Sequence, residues 1–103
     1  MRPTHRRVTR VTPFQQDVVA VVNRLPPSVV VSYAWVAHKA GYPGRARAVG
    51  GVLGRFSHEL PWWRVAHAKK TLVDARETEQ ARLLRAEGVE TEAGRLVHPP
   101  LHA

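Results

Sequence analysis

Cysteine is absent from this chain of 103 residues. That excludes disulfide staples, thiolate metal sites and any chemistry that needs a sulfur nucleophile, and it fits a reducing compartment. Long apolar runs are missing too. The longest, Val18-Val19-Ala20-Val21-Val22, is far short of the roughly 20 residues that cross a bilayer, so no membrane segment is expected. The opening Met1-Arg2-Pro3-Thr4-His5-Arg6-Arg7 has no apolar h-region, which argues against a signal peptide and for a cytoplasmic location. Acids are scarce where bases are plentiful. Residues 1–73 hold 12 of the 16 Lys and Arg but only Asp17 and Glu59 as acids, whereas residues 74–103 set four arginines against six acids. A net charge of +8 distributed this unevenly suits a polyanion lying across one face. A plainer source is an Arg-rich genome, since Arg outnumbers Lys 13 to 3.

Catalytic patterns are also missing. The six histidines are scattered, and His98 and His102 lack metal-site spacing. No phosphate-binding Gly-Lys-Ser/Thr loop is present, and Gly50-Gly51-Val52-Leu53-Gly54 follows no strong strand. Ser32 and Ser57 have no base nearby. No metal, cofactor or catalytic residue is expected.

What is present reads as one small domain. Residues 1–11, with Arg2, Arg6, Arg7 and Arg10, read as a flexible basic arm; residues 12–98 form the domain and residues 99–103 a tail. Thr12-Pro13-Phe14-Gln15 combines an N-cap, a proline at the first helical position and a capping-box partner. Phe14, Val18, Val21, Val22 and Leu25 then share one helical face up to Pro26-Pro27, so caps and periodicity must outweigh the poor helix propensity of valine. Val29-Val30-Val31 is a short extended link. Ser32 caps a second helix from Tyr33 to about Lys39, with Val36 and Ala40 inward, ending at Gly41. Tyr42-Pro43-Gly44 turns into a third helix from Arg45 to Leu53, whose small face (Ala46, Gly50, Gly51, Gly54) suits close helix packing. Asp74 or Thr78 opens a fourth helix with Ala81, Leu83 and Leu84, closed by Gly88. Val89 to Val97 turns at Glu92-Ala93-Gly94 as a small hairpin or an extended tail. The fold class is mainly α, a helix-turn-helix with short extended segments.

The blocks Thr12-Pro13-Phe14-Gln15, Ser32-Tyr33, Ala46-Arg47-Ala48-Val49-Gly50, Pro61-Trp62-Trp63-Arg64-Val65 and Leu83-Leu84-Arg85-Ala86-Glu87-Gly88 together carry a resemblance. Their order and spacing resemble the DNA-binding domain of the O6-alkylguanine-DNA alkyltransferases, and more closely the alkyltransferase-like proteins that lack transferase activity. The likeness runs from about Thr12 to Val97. It implies a winged-helix-like domain of the alkyltransferase C-terminal type. Pro61-Trp62-Trp63-Arg64-Val65 is similar to the family's Pro-Cys-His-Arg-Val with the nucleophile replaced, so the resemblance implies recognition of O6-alkylguanine without repair. A non-enzymatic, monomeric protein bound to duplex DNA is expected, nucleoid-associated in a bacterium, handing its complex to nucleotide excision repair proteins.

Residue roles follow from the same resemblance. The helix-turn-helix is expected in the minor groove, with Arg45, Arg47, Ala48, Gly50 and Arg55 at the DNA. Arg47 matches the arginine finger that fills the gap left by the extruded guanine. Tyr33 matches the tyrosine that presses on the 3′ phosphate. The lesion pocket is expected from Tyr33, Trp62, Trp63, Arg64 and Arg76, with Trp62 as an apolar wall where the sulfur would be. Trp63 departs from the family histidine, so any proton relay through Glu87 is broken, and Glu87 becomes a helix-end or salt-bridge residue. Arg64 is expected to bond loop carbonyls or a phosphate. Ala66-His67-Ala68-Lys69-Lys70-Thr71-Leu72 is basic and lacks the family's glycine turn. The rival reading is a lesion-indifferent winged-helix DNA-binding or regulatory protein; residual transfer activity would require an unforeseen nucleophile.

Overall fold

The fold was analysed in a computed structural model, in which residues 11–67, 72, 76–97 and 101–102 are described. Most of the basic arm, Asp74 and the Lys69-Lys70 pair lie outside the described residues. Helix α1 spans Pro13–Asn23. Its start is the expected capping box: the Gln15 amide donates to Thr12 Oγ1 at 3.1 Å and the Thr12 amide to Gln15 Oε1 at 3.0 Å. Val18 and Val22, one turn apart, are its fully buried residues, and Leu25 is buried just beyond the helix end.

The extended link is a strand, β1 (Val30–Ser32), and Ser32 then caps α2 (Tyr33–Lys39) by accepting from the Trp35 amide at 2.9 Å. Gly41 at φ +97° ends that helix, a conformation glycine adopts without steric cost. Ala40 is only half-buried; Ala37 takes the inward place beside Val36. After the turn comes α3 (Ala46–Arg55), with Arg45 at its N-cap. A 3₁₀ turn at Ser57–Glu59 and another at Trp62–Arg64 lead into β2 (Val65–Ala66). Helix α4 covers Glu77–Ala86 and stops before Gly88 at φ +87°. Its N-cap is Arg76, with no side-chain cap, so Thr78 does not open this helix but lies within its first turn. β3 (Thr91–Glu92) and β4 (Arg95–Leu96) form the hairpin, turning through Ala93 and Gly94, both at positive φ. A last strand, β5, covers Leu101–His102.

β1 organises the molecule. It lies between β2 and β5, parallel to both, with Val31 opposite Val65 and Ser32 opposite Ala66. Alternate side chains of a strand point to opposite faces, and the two hydrophobic clusters divide accordingly. Val31 and Val65 join α1, α2 and α3 in one cluster, which also holds Trp62; Val30 and Ala66 join Leu72, Leu84 and Leu96 in the other. Trp63 packs against both. No helix among the described residues is long and apolar enough to cross a membrane.

Candidate functional site

Two structural units meet at β1, and their chemistry differs. The first is the helix-turn-helix. Its turn is anchored to α1 by Tyr42, whose hydroxyl donates to Asp17 Oδ2 at 2.8 Å and whose ring meets Phe14 edge-on at 4.9 Å. The hydrogen bond to Asp17 raises the phenol's pKa, and Arg45 pulls it the other way. Asp17, one of two acids in the basic part of the chain, is thereby engaged beneath the turn. The Arg45 guanidinium sits 5.6 Å over the Phe14 ring and that of Arg55 5.2 Å over Phe56.

Val49, Val52 and Leu53 bury one face of α3, while Arg47, Ala48, Gly51, Gly54 and Arg55 are exposed on the other. The expected close packing of a small face fails at two positions. A Cβ at Gly51 or Gly54 would meet nothing within 4 Å, so these glycines flatten an outward surface instead of admitting a neighbouring helix. At Gly50 a Cβ would lie 3.9 Å from Tyr33 Cε1, ordinary contact with the start of α2.

The second unit is the tryptophan loop. Trp62 is 5% exposed, within the core, and crosses Trp63 edge-on at 6.3 Å. The Arg76 guanidinium lies 4.4 Å over the Trp62 ring, a close cation–π contact. Behind the loop stands Glu87. Its Oε2 accepts from Trp63 Nε1 at 2.8 Å and from Arg64 Nη2 at 2.7 Å, its Oε1 from the Ser28 amide at 2.9 Å, and its carbonyl from the Ser28 hydroxyl. Arg64 Nη1 also donates to Leu25 O at 2.7 Å. Burial pushes the Glu87 carboxyl upward, but the Arg64, Ser28 and Trp63 hydrogen bonds outweigh it and hold it below its usual value. Ser28 sits at φ +75°, costly for a side chain, and its two bonds to Glu87 fix that conformation.

These contacts locate three of the singled-out residues, Trp63, Arg64 and Glu87. Glu87 is both helix end and salt bridge, and the loop-carbonyl role of Arg64 is realised at Leu25. Arg64 was also expected in a lesion pocket; its side chain is 14% exposed and committed to Glu87 and Leu25, behind the loop. Trp63, in the histidine's place, keeps a direct bond to Glu87 through a group that donates but cannot shuttle a proton.

The β1–β2 register brings the two units together. One residue past the Ser32–Ala66 pair, Tyr33 faces His67, with ring centroids 5.2 Å apart. His67 had no distinguishing sequence signal, because only the parallel pairing makes it a neighbour of Tyr33. Gln80 was missed as well. It is fully buried, and its amide donates to the carbonyls of Trp63 at 3.0 Å and Val65 at 2.9 Å. Its place one turn before the buried Leu84, on the same face of α4, was the available signal.

The model of the 6-O-methylguanine DNA methyltransferase DNA-binding domain matches residues 13–89. The chain is 38% identical over 88 residues to a DNA base-flipping protein of Vibrio parahaemolyticus, covering 81% of this chain and 88% of that one. Its fold is similar to that of S. pombe Atl1 in complex with damaged DNA containing O6-carboxymethylguanine. The TM-score is 0.70 at 30% identity, covering 93% of this chain and 90% of that one. The Mycobacterium tuberculosis O6-methylguanine methyltransferase is similar over 80% of this chain and 52% of its own, with a TM-score of 0.64 at 30% identity.

Proposed function

The chain belongs to the family of the 6-O-methylguanine DNA methyltransferase DNA-binding domain, and from that premise we propose that it is a non-catalytic DNA-damage recognition protein. It grips duplex DNA through α3, turns O6-alkylguanine out of the stack, and holds it beside the tryptophan loop. No cysteine exists to accept the alkyl group. The long-lived complex, formed by a monomer, is handed to nucleotide excision repair proteins.

The observation that carries this reading is the juxtaposition of an open arginine-flanked helix face with a sulfur-free aromatic loop, joined where Tyr33 meets His67 and Gly50. The first turn of α3 has no acid and no side-chain cap, leaving its amides for a phosphate. Arg45 and Arg55 add charge on either side, and Ala48 and Gly50 let the backbone approach a narrow groove. Arg47 stands exposed to enter the duplex, where a planar guanidinium can stack and hydrogen-bond in place of the lost base. Tyr33 rotates the target nucleotide by pressing on its 3′ phosphate. Extrusion costs a few kcal/mol, least for a damaged pair.

Trp62 supplies an apolar wall, and Arg76 moves aside from it or stacks on the entering base. One buried methylene contributes only about 0.8 kcal/mol, so easier extrusion of the damaged pair must supply part of the selectivity. A second reading, a DNA binder indifferent to lesions, is favoured by the near-complete burial of Trp62 under Arg76. Competition between an O6-methylguanine duplex and its unmodified twin at several salt concentrations separates the two. Lesion recognition predicts a preference that survives added salt; equal affinities that fall together with salt leave only the second reading.

A further inference from the structure

A cleft of about 360 Å³ lies between α1, α2 and β1. Val21, Leu25, Pro26 and Trp35 line much of it, and the exposed Arg24 and Lys39 are the charged residues of its wall. Among the described residues neither forms an ion pair and no acid lines the cleft. Lys39 Nζ lies 5.7 Å from the centroid of the Trp35 ring, so a cation sits beside an aromatic surface. Trp35 and Tyr33 are two residues apart on one helix, about 200° around its axis, so the cleft opens on the side of α2 away from Tyr33. Its edge is fixed, because Arg64 holds the Leu25 carbonyl and Glu87 holds Ser28.

The geometry points to a docking site for an acidic segment of a partner protein that inserts one apolar side chain between Leu25 and Trp35 and sets carboxylates against Arg24 and Lys39. Charge complementarity selects this occupant. A nucleic acid would satisfy the two cations but leave the apolar wall unused. The basic residues 1–10 would face like charges. An apolar anchor flanked by acids satisfies both halves of the cleft. The inference does not depend on lesion recognition, since the cleft lies apart from Tyr33 and the exposed face of α3.

The test uses the full-length protein and a fluorescein-labelled twelve-residue peptide of alternating Glu and Ser with one central Leu, followed by anisotropy and by amide shifts in NMR. Shifts are expected at Val21, Leu25, Val29 and Trp35. Replacing the peptide's Leu by Ser should weaken binding about 10-fold. The double variant Arg24→Glu, Lys39→Glu, both surface positions, should weaken it at least about five-fold while its affinity for an unmodified duplex stays constant. Four results overturn the proposal. They are no binding below millimolar peptide, equal binding by the charge-reversed variant, shifts confined to α3, and contacts in the free protein that set residues 98–103 against Leu25 and Trp35, beyond the pairing of Leu101 and His102 with β1. Loss of lesion preference with peptide binding intact would count against the proposed function alone.

Discussion

The exposed face of α3 and the tryptophan loop were built under opposite constraints. Arg47, Ala48, Gly51, Gly54 and Arg55 are exposed on a helix whose other face holds it in the core. In the loop, Trp62 is buried and Trp63 packs against the core, while Gln80 of α4 and Glu87 at its end bond the loop backbone and Arg64. One surface is free to meet a ligand; the other is fixed before any ligand arrives. Substitutions on the first should therefore change binding and those in the second should change folding.

Trp62→Ala tests that division most severely. Emptying the space of a buried indole should cost about 4 kcal/mol of stability. Chemical denaturation measures the loss, and the protein that remains folded at low temperature should keep its affinity for an unmodified duplex. Arg64→Ala comes next. It leaves Glu87 without its ion-pair partner and Leu25 O without its donor, an expected loss of about 2 to 3 kcal/mol in the same assay.

Acid probes the cluster without a mutation. Glu87 titrates below its ordinary value when folded, so its stabilising contribution is complete above the unfolded carboxyl's pKa of about 4.3. That contribution is lost as pH falls through the lower, folded value. Tm should drop as pH falls below the unfolded carboxyl's pKa and through the lower, folded one, and Glu87→Gln should flatten the drop.

The smallest effect sharpens the contrast from the other side. Gly51→Ala meets open space in a helix interior and should stabilise the fold by about 0.5 to 1 kcal/mol. The added methyl stands on the outward face of α3, so duplex affinity should fall as thermal stability rises. If affinity is unchanged, α3 does not lie against DNA.

Sequence legibility followed the range of the interactions. Thr12 with Gln15, Ser32 with the Trp35 amide, and the stops at Gly41 and Gly88 act within four residues, and each was readable. The parallel pairing of Val31 with Val65 has no local signature, so β1 read only as an extended link and the meeting of Tyr33 with His67 went unseen. The Glu87 cluster spans chain separations of up to 59 residues. Glu87 could be singled out by resemblance, but its partner Ser28 could not. Residues bearing caps misdirected the start of α4, because Arg76 begins that helix without a side-chain cap while Thr78 offered one on paper. Gly51 and Gly54 misled for a related reason: small residues mark either a tight contact or a smooth surface, and sequence does not say which.

In the proposed function, extrusion of the damaged base joins the open face to the fixed loop. A duplex carrying 2-aminopurine beside O6-methylguanine reports it through the fluorescence of the unstacked neighbour. Binding should brighten the probe several-fold, and Arg47→Ala should remove most of that signal while leaving the fold intact. A probe that stays dark at saturating protein, or one that brightens equally with Arg47→Ala, contradicts the account.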